Sequence, residues 1–264
     1  MTFPHAGPSV VAVAACKLLV VTQLRPALDA RPAEWVIAGL LGFAQSVLSL
    51  VPAGFQAYVR VFHPAYRSVG EGSSGRLVPV PWAEIAAANG TRVQEAMQLG
   101  ALTGSWASAE TGQAGVFDVP PRVGSLPREL AIALAPVLAR HTSTPERIWF
   151  AVWEGFGDLP DEVRQAPAFT APYRKYHLLG GPIDALPEGA YDSVFRQSPN
   201  LCWPSDRAWC TATEIDLNST YVACSDACAD EIVAVPEVEA LTIDPATGID
   251  FASDVLNPVP TDTP

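Results

Sequence analysis

The chain has 264 residues, 49% of them apolar and 17% charged, with 25 prolines and 19 glycines. That composition excludes a disordered chain, a coiled coil and a collagen-like fibre, and the length suffices for a buried core without disulfide or metal staples. Sixteen basic against 28 acidic residues give a formal charge of −12, which repels phosphate backbones, so nucleic acid is not an expected partner.

Taken in chain order, residues 1–33 read as an N-terminal extension outside the core. Val13-Ala14-Ala15-Cys16 matches a lipoprotein cleavage box, but no Lys or Arg precedes it and the apolar run continues past the cysteine, which argues against an export signal. Residues 35–51 are predicted as one helix. Gly39, Gly42, Ser46 and Ser49 fall on one face, large apolar residues surround the rest, and Gln45 with the early Pro52 favours burial over membrane insertion. FQAYVRVFHP alternates as a strand and GRLVPV is a second. PWAEIAAANGTRVQEAMQLG reads as helix, turn, helix, with Asn89-Gly90 as the stop and Thr91 as the next cap. Glu84 and Glu95 oppose the lone Arg92, so this pair is expected to pack rather than to read DNA.

Residues 100–125 lack periodicity and are predicted as a long loop. SLPRELAIALAPVLARHT is an amphipathic helix with its stripe at Leu126, Leu130, Leu134, Val137 and Leu138, capped by Ser125 and kinked at Pro136. RIWFAVWEG is apolar without alternation, the pattern of a strand covered on both faces, and is placed centrally in the sheet. RKYHLLGG is the next strand, and residues 180–206 read as loop. DRAWCTATEID and STYVACS form a hairpin, DACADEIVAV a short helix and EALTI a last strand, before a flexible tail over 253–264. The expected fold class is α+β: a single domain over 34–252, a mixed or antiparallel sheet of about 5–7 strands against several helices, and long Pro/Gly-rich loops.

Candidate chemistry gathers at two strand ends. Glu214 and Asp216, two apart, share a face at the hairpin tip, where paired carboxylates can divide acid from base duty or simply turn the chain. Glu154 ends the apolar strand beside Gly155-Phe156-Gly157. If it lies near Glu214, with Arg60, His63 and Arg207, a polar pocket results. Trp149, Trp153, Trp203 and Trp209 cluster in sequence around the same strands and fit either a core edge or a binding surface. Four cysteines fall within 27 residues, but Cys202, Cys210, Cys224 and Cys228 are separated by seven, thirteen and three residues, not the paired spacing of a zinc site. Only Cys224 and Cys228 are spaced as a metal or redox pair, against the readings of the cysteines as small core residues or as disulfide partners. The isolated histidines, and the lack of GxSxG, Walker or GxGxxG signatures, imply no metal and no cofactor.

Three stretches, SLVPAGFQAYVRVFHPAYR, LARHTSTPERIWFAVWEGFG and SPNLCWPSDRAWCTATEIDLNSTYV, resemble a group of uncharacterised actinobacterial proteins of similar size. The resemblance spans roughly Trp35 to Leu241. It transfers no catalytic residue, and the group's usual lack of cysteine at positions 224 and 228 weakens a metal role for them.

The resulting expectation is a cytoplasmic binding domain for a protein partner or small ligand, using Trp153, Trp203, Arg207, Trp209 and Arg60. The alternative is a hydrolase-type enzyme with Glu154, Glu214 or Asp216, and His63, as acid and base. A membrane-associated role through the N-terminal apolar region ranks last.

Overall fold

The structure is a computed structural model that describes residues 24–43, 45–70, 76–191, 196–257, 260 and 262; the cleavage-box segment lies outside the described residues. The strands are β1 Arg25–Pro26, β2 Ala57–Phe62, β3 Ala65–Val69, β4 Arg76–Val80, β5 Ile148–Trp153, β6 Ala168–Thr170, β7 Lys175–Gly181, β8 Leu201–Pro204, β9 Cys210–Ala212, β10 Ser219–Cys224 and β11 Ala240–Thr242. The helices are α1 Glu34–Gly39, α2 Trp82–Asn89, α3 Leu99–Thr103, α4 Trp106–Thr111, α5 Arg128–Arg140, α6 Asp161–Arg164 and α7 Asp226–Val233.

The fold is α+β. Nine strands make one antiparallel sheet in the order β1-β7-β5-β8-β9-β10-β2-β11, with β6 also paired to β7, while β3 and β4 form a separate two-stranded sheet. β5 lies inside the sheet between β7 and β8, as its unbroken apolar run predicts.

Side chains alternate across a strand, and here both faces are covered. In β2, Val59 and Val61 join one core while Tyr58 joins the other, and in β10 Val222 and Cys224 oppose Tyr221 and Ala223. Hence every residue of β2 is buried despite its period of two. The first face is covered by α5, through Leu130, Leu134, Val137 and Leu138, and by α7, through Cys228 and Ile232. Trp209 fastens this layer by donating its indole N–H to the Leu138 carbonyl at 2.9 Å. The second face is covered by α1, a 3-10 turn at Val47–Ser49 and the crossing segment around Ile243 and Ile249. A third cluster joins Phe62, Trp82, Met97 and Phe117 beside the small sheet.

Several expected elements differ. The helix over 35–51 stops at Gly39, because Leu40 turns extended (φ −75°, ψ 136°) and Gly42 is left-handed at φ +73°. A Cβ on Gly39 would sit 2.7 Å from Pro52 Cβ, so the chain is folded back on itself there. The second helix expected over 91–100 is absent: Asn257 accepts from the Arg92 N–H at 2.7 Å and Gln94 donates to Asp254 at 2.9 Å, diverting the segment until α3 begins. The predicted loop 100–125 contains α4, the loop read into 180–206 contains β8, and Ser125 caps nothing but accepts from the Ser198 N–H.

The expected domain edges also move. Leu24 is buried in the first core, and Arg25 and Pro26 pair with Gly180 and Leu179, so the end of the 1–33 stretch belongs to the sheet. In the stretch expected as a tail, Asp254 and Asn257 are buried and Asp262 accepts from Trp106 N–H and Ser105 at the start of α4. Among the described residues no helix is long and apolar enough to cross a membrane.

Candidate functional site

The irregular cover of the second face leaves a cavity of about 300 Å³. Leu201 from β8, Ala212 from β9 and Tyr176 from β7 contribute strand positions, and Leu40, Leu50 and Ile249 supply apolar cover from the loops. Ser49, Arg174, Asn200, Thr213, Glu214, Asp216 and Asp250 add polar groups.

Local hydrogen bonding builds the polar end. Asn200 lies just before β8; its side chain accepts from the Trp153 N–H at 2.9 Å and donates to the Thr213 carbonyl at 3.1 Å. Thr213 N–H returns to the Asn200 carbonyl at 2.7 Å, so one asparagine clips the ends of β5, β8 and β9 together. The chain then turns at Glu214, whose Oε2 accepts the Asp216 N–H at 2.6 Å. Arg174 bridges Glu214 Oε1 and Asp216 Oδ2, at 2.8 Å each, and its guanidinium lies 5.7 Å from the Trp153 ring centre. The Glu214 side chain is 16% exposed. Burial holds its carboxyl above the usual range, outweighing the Asp216 N–H and Arg174, which favour the anion. The Tyr176 phenol is pushed up to about 12 by burial and by the negative charge of Glu214.

Of the residues singled out from sequence, only Glu214 and Asp216 meet at this cavity. Glu154 does not line it; its carboxylate pairs with Lys175 Nζ at 2.7 Å and is 41% exposed. Alternation along β7 explains the separation, since Lys175 points opposite to Tyr176. Arg60 is core: Nε donates to Ser219 Oγ, Nη1 donates to the Glu95 and Met97 carbonyls, and the Phe62 ring centre lies 4.6 Å away. Arg207, at φ +61°, lies over the Trp35 ring. Of the grouping Glu154, Glu214, Arg60, His63 and Arg207, only Glu214 lines this cavity.

His63 is buried with both ring nitrogens engaged, by the Arg122 carbonyl at 2.6 Å and Thr220 Oγ1 at 2.9 Å. Burial lowers it to about 4, so it is neutral at ordinary pH. Thr220 Oγ1 also meets Thr213 Oγ1 at 2.8 Å, which links His63 to the cavity wall. Trp203 and Trp209 are fully buried and form no surface, while Trp153 is half-buried. Cys224 and Cys228 are buried beside each other as free thiols, and their contact pushes Cys224 up and Cys228 down. Among the described residues no group of three His, Cys, Asp or Glu could hold a metal ion.

Sequence reasoning missed Arg174, Asn200 and Tyr176. Arg174 opens the expected strand RKYHLLGG, just ahead of the observed β7, and has no motif of its own. Asn200 did carry a signal, since the stretch SPNLCWPSDRAWCTATEID contains it together with Thr213, Glu214 and Asp216. Compared with protein-family models, curated proteins and solved structures, the chain matches none.

Proposed function

We propose that this protein binds a small molecule in the cavity at Glu214, and that the ligand joins a protonated amine to an apolar body. The sign of the lining charge carries the reading: among the described residues Glu214, Asp216 and Asp250 line the cavity with one cation, Arg174, and the other lining side chains are neutral and mostly apolar. Three negative charges against one positive leave an excess of two. Carboxylate ligands are repelled by that excess, and an ammonium relieves it. The burial of Trp203 and Trp209 supports a small ligand over a protein partner. The same proposal places the protein in the cytoplasm, which the four buried, free cysteines support.

Calorimetry and thermal shift with butylamine and benzylamine, against butanoate and benzyl alcohol, test the reading. The amines should bind and raise Tm, and Glu214→Gln should weaken them by about tenfold or more, the worth of one charge-assisted hydrogen bond. Binding should tighten as pH rises through the raised Glu214 range, because only the ionised carboxylate pairs with the ammonium. Equal binding of amine and carboxylate would overturn the proposal.

One observation favours a second reading, a hydrolase with Glu214 as general acid: its carboxyl is raised, while Asp216 is exposed and paired with Arg174. Turnover of ester or glycoside panels that is lost in Glu214→Gln and kept in Glu154→Gln would support it.

A further inference from the structure

An open cleft of about 520 Å³ lies where the small sheet meets the start of α5, with Tyr66 from β3, Leu77 from β4 and Arg128 from α5 among its walls. It shares no lining residue with the cavity at Glu214. Its charge runs against that of the whole chain. The protein has 16 basic residues and a net charge of −12, yet Arg122, Arg128 and Arg196 all line this cleft, and Glu129 is the one lining carboxylate among the described residues. Glu129 is already engaged, because the Tyr66 hydroxyl donates to its Oε1. Glu188 meets Arg128 Nη2 at 2.8 Å from outside the lining, in an exposed pair of small worth.

The arginines are held in place by backbone carbonyls. Arg196 donates from Nε to Pro187 at 2.6 Å, from Nη1 to Leu126 at 2.6 Å and from Nη2 to Leu186 at 2.8 Å, which leaves one N–H on each Nη. Arg122 is tethered beside it, donating from Nη2 to the Arg196 carbonyl at 2.6 Å. Burial, and then the charges of Arg122 and Arg128, lower Arg196 to about 10. The three guanidinium groups therefore repel one another, a cost that a bound anion would relieve. The rest of the wall is apolar: Leu77 and Val119 are 50% and 39% exposed, beside Pro120 and Pro127.

We infer that this cleft binds a small phosphate monoester, its phosphoryl oxygens on Arg122, Arg128 and Arg196 and its apolar body against Leu77 and Val119. Three positive charges against one negative leave an excess of two, which a phosphoryl dianion matches and a single carboxylate does not. Guanidinium forks also suit phosphoryl oxygens. A nucleic acid would meet the acidic surface around the cleft, whereas a small ester meets only the local charge. The site stands apart from the amine reading, and neither depends on the other.

The test is calorimetric titration of phenyl phosphate, inorganic phosphate, benzoate and phenol into wild-type protein and into Arg122→Gln, Arg128→Gln, Leu77→Thr and Arg140→Gln. Phenyl phosphate should bind more tightly than any of the other three, and its affinity should rise with pH through about 6, where the ester becomes a dianion. Arg122→Gln and Arg128→Gln should each weaken it by about tenfold or more, the worth of a charge-assisted hydrogen bond. Leu77→Thr should weaken phenyl phosphate and leave inorganic phosphate unchanged. Arg140→Gln removes the same charge at the other end of α5, where Arg140 pairs with Glu231, and should change nothing; circular dichroism checks that each variant is folded. No binding of phenyl phosphate, equal binding of benzoate, or an equal loss in Arg140→Gln would overturn the inference and leave the amine reading standing.

Discussion

The two faces of the large sheet are covered in opposite ways. On the first, a 13-residue helix and α7 lay continuous apolar stripes on Val59, Val152 and Val222, and the Trp209 indole N–H finds the Leu138 carbonyl. On the second, a short α1, a 3-10 turn and loop segments do the covering, and the indole N–H groups of Trp35 and Trp203 are buried with no hydrogen-bond partner among the described residues. Regular helices present evenly spaced ridges that interdigitate with a sheet, whereas loops must also satisfy their own backbone groups. The cavity with its polar end lies on the face where that cover is irregular. In this molecule the closed face is packed by regular helices and the open face holds the cavity.

Substitutions can break or sharpen that contrast. The largest effect is expected at Leu134, 1% exposed on α5: Leu134→Ala should lose about 2–5 kcal/mol in urea unfolding, because a well-packed layer cannot collapse into the space. Next is the buried His63, which reaches the cavity wall through Thr220 and Thr213. Its folded value of about 4 lies below the ordinary imidazole value of 6.5, so its contribution is present above 6.5 and is lost as pH falls through that window toward 4. The full loss is about 3 kcal/mol. His63→Asn, keeping a donor and an acceptor, should flatten this part of the stability profile.

Gly39→Ala follows, with a loss of about 1–3 kcal/mol, as the added methyl meets Pro52 and pries apart the fold that replaces the expected helix. Leu40→Ala should destabilise by no more than about 1 kcal/mol, since it enlarges a space that already exists instead of opening a new one; a loss as large as that of Leu134→Ala would erase the contrast. Smallest is Glu154→Gln, which breaks an exposed ion pair with Lys175 and should stay within about 0.5 kcal/mol of wild type. Glu214→Gln gives a separate pH signature. A raised carboxyl makes the folded state bind protons more tightly, so wild-type stability relative to the variant should fall as pH rises above 4.5, the ordinary glutamate value, through the raised range.

The sequence showed β2, β5, β7, β9 and β10 of the sheet interior, though not β8, and the helices of the closed face, because those elements obey local rules. Leu130, Leu134, Val137 and Leu138 recur at helical spacing, and IWFAVW is too evenly apolar to be anything but a doubly covered strand. The open face was misread for a matching reason. The small residues at 39, 42, 46 and 49 fit a helical face, yet Gly39 is needed where the chain approaches Pro52. The helix expected after Thr91 was lost to Asp254 and Asn257, partners some 160 residues away in sequence. At the candidate site, Glu214 and Asp216 were legible as neighbours two apart, but Arg174 and Asn200 reach them only through tertiary packing.

By itself, then, the sequence determined the α+β class, the interior position of β5 and the acidic pair at the end of the β9 segment, since composition and periodicity act over a few residues. Only the tertiary structure decided which face is closed, that Glu154 stands apart from Glu214, and that Arg174 answers the acidic pair. Those outcomes depend on strand order and on contacts between distant segments, which no local pattern encodes.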